Sequence, residues 1–136
     1  RLTDIQSALG ITQLKKNKEG VKRRNEIANN YKNAFNNKIK YQSLNSGDLN
    51  AHHLFIIEIN NRKELYDFLR TYNIFAQIHY IPLHTLPYYR NIGYDKADLK
   101  NAENYYSKCI SLPMYPTLTN KEQEFVILKV LELINE

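Results

Sequence analysis

Residues 3–37 read as a single helix, and its length limits the folds open to the chain. Thr3-Asp4-Ile5-Gln6 spells a capping box, with Thr at the N-cap and Gln at N3. Ile5, Ala8, Leu9 and Leu14 follow helical spacing, and Val21, Ala28, Tyr31 and Phe35 continue the apolar stripe. At 1.5 Å per residue such a helix is about 50 Å long, too long for a compact domain of this size to bury alone. Long helices of this kind often connect one domain to another. The expected organisation is a connecting or interface helix over residues 1–37 and a small α+β domain over residues 38–136. Gly10 and Gly20 each weaken the helix by about 1 kcal/mol against Ala; Gly20 is expected at a kink or a close contact.

The remainder alternates between strand and helix signals. Residues 36–51, rich in Asn, Ser, Gly and Asp, read as a loop. Leu54–Ile59 is β-branched and apolar and predicts a buried strand. Asn61 is placed to cap a helix with the apolar face Leu65, Phe68, Leu69 and Tyr72, and Asn73 to end it in the left-handed conformation. Ile74 to His79 reads as a second strand. Pro82 and Pro87 make residues 81–97 an irregular loop. Asp98 is expected to cap a helix running to about Ile110. Ser111–Pro116 is extended, because each proline steers its predecessor away from helix. Thr119-Asn120-Lys121-Glu122 is a second capping box, opening a helix that reaches about Ile134 and buries much of Phe125, Val126, Leu128, Val130, Leu131 and Ile134. The fold class is α+β: a long leading helix and a small sheet covered by helices.

Composition excludes several classes. Apolar residues make up 43% of the 136, enough for a real core rather than wholesale disorder. No apolar run approaches the roughly 20 residues of a membrane span, so no membrane partner is expected. The single cysteine, Cys109, excludes an internal disulfide framework and fits a reducing, cytoplasmic compartment. The opening Arg1-Leu2-Thr3-Asp4 does not read as a signal peptide. The chain starts at Arg1 rather than Met and inside a helix signal, so it is expected to be a piece of something longer. The net charge of +5 comes from 13 Lys and 6 Arg against 14 acidic residues. With 17 Asn and many Tyr and Ile, this Lys excess fits an AT-rich codon bias. Six Arg are a thin supply for bidentate phosphate or base recognition. Lys15, Lys16, Lys18, Lys22, Arg23 and Arg24 could track nucleic acid, but Glu19 and Glu26 interleave with them. A basic nucleic-acid-binding or dimerisation module is the rival reading.

The densest cluster of chemically capable side chains is the run from Gln77 to Arg90, with His79, His84, three tyrosines and Arg90 where a strand feeds a loop. From spacing alone, binding and ordinary packing both stay open for it. His52, His53, His79, His84 and Cys109 fit no zinc template, and adjacent histidines on a strand point apart, so no metal is expected. Cys109 reads as core, on a helix beside Ile110. No glycine-rich phosphate loop and no readable Ser-His-Asp arrangement is present.

Several segments, in order and over nearly the whole chain, resemble the C-terminal part of the DegT/DnrJ/EryC1/StrS aminotransferases, which depend on pyridoxal phosphate. Arg1–Leu14 is similar to the family's R-x-x-x-x-Q-A-A-x-G-x-x-Q-L helix, with Ser7 for the commoner Ala. Arg23-Arg24-Asn25 with Tyr31 and His53-Leu54-Phe55 follow at compatible spacing. His79-Tyr80-x-Pro82-x-His84-x-x-Pro87-x-Tyr89 is the most telling signature, and Ser111-Leu112-Pro113-x-Tyr115-Pro116-x-Leu118-Thr119 closes it. Ile81–His84, Pro87–Arg90, Gly93-Tyr94 and Ala102-Glu103-x-Tyr105-Tyr106 are similar to the branch that serves pseudaminic acid biosynthesis.

The resemblance implies the small C-terminal domain of a fold type I aminotransferase. It implies transfer of an amino group from glutamate to C4 of a UDP-linked 4-keto-6-deoxy-N-acetylhexosamine, in a homodimer with sites at the subunit interface. It places the cofactor, pyridoxal 5'-phosphate, and its Schiff-base lysine in a preceding large domain, so no catalytic or cofactor-binding residue is expected in this chain. Neither Lys63 nor Lys96 is a candidate for that lysine. The isolated piece is expected to be inactive. His79, Tyr80 and His84 would line the sugar-nucleotide cleft, and Arg1 would matter to the neighbouring subunit's site.

Overall fold

The computed structural model describes residues 1–36, 38–45, 50–94 and 98–135. The last residue of the expected leading helix, the middle of the 36–51 loop and Lys96 lie outside them.

Helix α1 spans Asp4–Phe35, 32 residues and so about 48 Å. Its capping box forms: the Thr3 hydroxyl accepts from the Gln6 amide, and Gln6 Oε1 accepts from the Thr3 amide at 3.0 Å. Burial divides the helix. Ile27, Ala28, Tyr31 and Phe35 are sealed in the core, whereas Leu2, Ile5, Leu9 and Leu14 are each at least 60% exposed. α1 runs unbroken through Gly20, where an added Cβ would meet Pro116 at an ordinary 3.7 Å. Close approach therefore does not demand that glycine.

Three short strands, β1 (Lys40–Tyr41), β2 (Phe55–Glu58) and β3 (Cys109–Leu112), form an antiparallel sheet in the order β1-β2-β3. The register pairs Phe55 with Leu112 and Ile57 with Ile110. These four side chains therefore share one face. They are buried in a common core with α1 and with α2 (Arg62–Thr71) and α5 (Asn120–Ile134). Tyr31 joins the layers: its ring lies 5.0 Å from Phe55, and its hydroxyl donates to the Pro113 carbonyl at 3.0 Å. The second face carries Ile56, Glu58, Cys109 and Ser111, and α4 (Lys100–Lys108) packs near it through contacts with β2.

The expected strand from Ile74 to His79 is corrected to one bridge. Gln77 and Ser111 exchange both backbone hydrogen bonds, at 3.0 and 2.7 Å. The next bonded pairs in that register would be 75 with 113 and 79 with 109. Pro113 has no N–H to give, and the Cys109 N–H is already donated to Tyr105 at the end of α4. Burial alternates only at the start of the segment, with Ile74 and Ala76 buried and Phe75 and Gln77 exposed.

The helix expected from Asp98 to Ile110 is shorter, because Cys109 and Ile110 pair with Glu58 and Ile57 and belong to β3. Asp98 does not cap α4; its carboxylate pairs with Lys100 at 3.0 Å. Asn61 contributes its backbone carbonyl, not its side chain, to the start of α2. The 81–97 loop holds a 3₁₀ turn (Leu83–Thr85) and a short helix, α3 (Pro87–Asn91), in which Pro87 takes the first turn, where its fixed φ fits. Asn73 does end α2 at φ 58°, with its own amide and that of Ile74 bonded back to Arg70 and Leu69. The Thr119–Glu122 capping box forms, but α5 buries Gln123, Val126 and Val130 and leaves Phe125 and Leu128 exposed.

Candidate functional site

The second face of the sheet is where chemically capable side chains meet. Cys109 and Ser111 alternate on β3, so both side chains leave the strand on the same side. Both grip His79. The Ser111 Oγ lies 2.9 Å from His79 Nδ1, and the Cys109 thiol donates to the His79 carbonyl at 3.6 Å. Ser111 is also fixed at the backbone by Gln77, two residues before His79. The imidazole is half-buried, and the ring of Tyr80 stands edge-on to it at 4.7 Å, itself 75% exposed. A histidine held this way offers its Nε2 side to a ligand, with a phenol beside it that can donate or accept. Burial pushes the Cys109 thiol up despite nearby Arg62 and the backbone bonds that favour its thiolate. Cys109 is therefore a structural thiol.

His84 sits one loop further on. The 3₁₀ turn that carries it is closed by Thr85, whose hydroxyl donates to Pro82 at 2.7 Å. His84 is buried, and its Nε2 meets Glu103 Oε1 of α4 at 2.8 Å. Its Nε2 is engaged in tying the turn to α4, leaving Nδ1 for other work. The structure thus joins His79 with Tyr80 and brings His84 to Glu103. Arg1, exposed ahead of the N-cap of α1, enters none of these contacts among the described residues. Sequence reasoning gave no role to Ser111 or Glu103. Each lies far along the chain from its histidine, and only the folded sheet and α4 bring the pairs together.

The basic stretch of α1 is partly structural. Arg23 donates to the Leu118 carbonyl at 2.6 Å and to Asn120 at 2.8 Å, clasping the start of α5, and pairs with Glu26 at 3.3 Å. Among the described residues no group of three metal-ligating side chains converges, and no helix is long and apolar enough to cross a membrane.

A lysine that forms a Schiff base is depressed in pKa by burial or by neighbouring cations. No described lysine is buried. Lys129, half-buried, is instead pushed up by its hydrogen bond to Glu132 and lies 3.9 Å over the ring of Tyr72. The described residues therefore do not fit the anchoring of pyridoxal phosphate.

Comparison with known proteins defines the class to which this arrangement belongs. The solved structure of the aminotransferase PseC of Helicobacter pylori, involved in the biosynthesis of pseudoaminic acid, superposes on 99% of this chain with a TM-score of 0.90 at 30% identity. The helix-rich architecture with its small antiparallel sheet is thus that of a segment found in sugar aminotransferases. A sequence model of the DegT/DnrJ/EryC1/StrS aminotransferase family matches residues 1–131, and the chain belongs to that family. The spore coat polysaccharide biosynthesis protein SpsC of Bacillus subtilis is 36% identical over 96% of this chain. The UDP-4-amino-4,6-dideoxy-N-acetyl-beta-L-altrosamine transaminase of Helicobacter pylori is 32% identical over 97%. The chain spans 36% and 37% of the length of these two relatives and 38% of the solved chain.

Proposed function

We propose that this chain is the C-terminal, substrate-facing part of a fold type I aminotransferase dependent on pyridoxal phosphate. The complete enzyme transfers an amino group from glutamate to C4 of a UDP-linked 4-keto-6-deoxy-N-acetylhexosamine. The observation that carries the class is the family match over residues 1–131, reinforced by superposition on PseC over 99% of the chain. The substrate rests on the motifs around His79 and on the altrosamine transaminase relative. In this reading residues 1–37 connect to a large domain, residues 38–136 form the small domain, and two subunits assemble as a homodimer in the cytoplasm. The exposed Leu2, Ile5, Leu9 and Leu14 supply apolar surface for such contacts.

The cofactor supplies the electron sink for amino transfer. This chain's own contribution is binding and orientation. His79 and Tyr80 present nitrogen and phenol groups to the oxygens of the sugar nucleotide. His84, tied to Glu103, steadies the following loop and lines the same cleft. Arg1 serves the site of the neighbouring subunit.

The test is direct. Enzyme produced from the reading frame that carries this chain is given glutamate and the UDP-linked 4-keto sugar, and 2-oxoglutarate and the 4-amino sugar are followed by mass spectrometry. Stoichiometric appearance of both supports the reading. Exclusive amination of a different keto sugar overturns the substrate, and no transfer to any keto sugar overturns the class.

A further inference from the structure

Ser111 is out of character for its place. β3 is buried at all four positions, and Ser111 is 4% exposed between Ile110 and Leu112. An apolar residue would fill such a position without a polar group to satisfy, whereas a buried hydroxyl is costly unless its proton finds an acceptor. Among the described residues the Ser111 hydroxyl makes one hydrogen bond, the 2.9 Å contact with His79 Nδ1.

That contact has two possible polarities. If Nδ1–H donates to Oγ, the serine's own proton points into a buried region with no acceptor among the described residues. If Oγ–H donates to Nδ1, every proton is used. The second arrangement leaves the neutral ring's hydrogen on Nε2. Three further bonds fix the geometry: the Cys109 thiol holds the His79 carbonyl, and the Gln77 and Ser111 backbones are bonded in both directions.

We infer that Ser111 is a positioning residue that holds His79 as the Nε2–H tautomer, so that His79 presents a hydrogen-bond donor, and not a base, to an oxygen of the substrate. The tautomer follows from the serine alone; the identification of the oxygen with a sugar nucleotide rests on the proposed function. A donor at this position recognises either a diphosphate oxygen or a sugar oxygen, and the two sources separate experimentally.

The tautomer is read by long-range ¹H–¹⁵N correlation spectra of the ¹⁵N-histidine-labelled chain at mildly alkaline pH. The wild-type His79 is expected to show a protonated Nε2 and an unprotonated Nδ1. Ser111→Ala should shift the ring toward a mixture of tautomers, and Ser111→Thr, which keeps the hydroxyl, should restore the single form. In the amination assay Ser111→Ala should raise the KM for the sugar nucleotide about three- to tenfold, the size of one hydrogen bond, with kcat little changed and recovery in Ser111→Thr. Competitive inhibition by UDP weakened by the same factor assigns the contact to the diphosphate; inhibition unchanged assigns it to the sugar. A wild-type ring protonated on Nδ1, or a tautomer indifferent to Ser111→Ala, overturns the inference without any variant needing to be active. A changed tautomer with unchanged KM overturns the role in substrate binding. A wild-type enzyme that aminates no keto sugar overturns the proposed function instead, and the spectra still decide the tautomer.

Discussion

Gln123 offers the sharpest test of how α1 and α5 are joined. It is 1% exposed, its Nε2 donates to the Ile27 carbonyl at 2.7 Å, and its Oε1 accepts from Asn30 at 3.0 Å. Neither partner is stranded by its removal: Ile27 lies inside α1, where its carbonyl also serves the helical ladder, and Asn30 is exposed to water. Gln123→Ala therefore loses two hydrogen bonds of about 0.5–1.5 kcal/mol each, together with about 0.8 kcal/mol for each buried methylene removed. The expected loss is about 2–4 kcal/mol, a large share of the roughly 5–15 kcal/mol typical of a whole domain. Gln123→Leu keeps the volume and gives up only the bonds, so it should lose less, about 1–3 kcal/mol. Urea unfolding at two protein concentrations measures both, with unchanged m-values showing that the compactness of the states is preserved. An alanine variant within about 0.5 kcal/mol of wild type, or a leucine variant less stable than the alanine one, would refute the reasoning.

Three further outcomes are expected. Burial, with Lys32 nearby, holds the His52 imidazole below its ordinary value, so the unfolded chain takes up a proton first; stability should be full above about pH 6.5 and fall as pH drops toward the folded value. Urea midpoints at pH 7.5 and 5.5 should diverge in wild type and converge in His52→Asn, which tolerates the φ of 47°. Asn73→Ala should lose about 1 kcal/mol at the left-handed end of α2 while Asn73→Gly is near neutral, by thermal melts. Each exposed Leu or Ile of the α1 stripe gives up about 1.5–3 kcal/mol of possible burial, so the 136-residue chain should self-associate through α1 or fray over its first turns; Ile5→Glu with Leu9→Glu should give a monomer in sedimentation, and a wild-type monomer with residues 1–14 protected from hydrogen exchange contradicts both outcomes.

Signals confined to a few neighbouring residues were legible in the sequence. Both capping boxes, the left-handed Asn73 and the extended Ser111–Pro116 run carry their reasons within a turn or two of chain. Signals that depend on a distant partner were not. Cys109 and Ile110 look like the end of a helix until β2 is there to pair with them. Residues 74–79 alternate like a strand, yet the ladder stops because Pro113 lacks a donor and Cys109 has spent its own. On α5 the apolar count puts Phe125 and Leu128 inside along with Val126 and Val130, but α1 and α2 meet the face of Val126, Val130 and the polar Gln123. The candidate site divides likewise: the His79-Tyr80 and His84 motifs are readable, while the pairing of Ser111 and Glu103 with those histidines enters only through the fold.

The two histidines also explain how a loop with so much apolar surface can keep one shape. His79 is tied to β3 through Ser111 and Cys109, and His84 to α4 through Glu103. Between these anchors lie Tyr80, Ile81 and Leu83, exposed by 75%, 45% and 61%. Exposed apolar groups on an unanchored loop would collapse onto the nearest surface, whereas here only four residues separate the two tied histidines. Binding groups work best when rigid elements hold them before the ligand arrives, because less ordering remains to be done on contact. Breaking either anchor should therefore loosen the same stretch, so Glu103→Gln, which keeps a hydrogen-bond acceptor for His84, should disturb amide exchange at residues 80–83 less than Glu103→Ala does. Exchange at residues 80–83 in Glu103→Ala equal to that of wild type would show that the loop keeps its shape without the His84 tie.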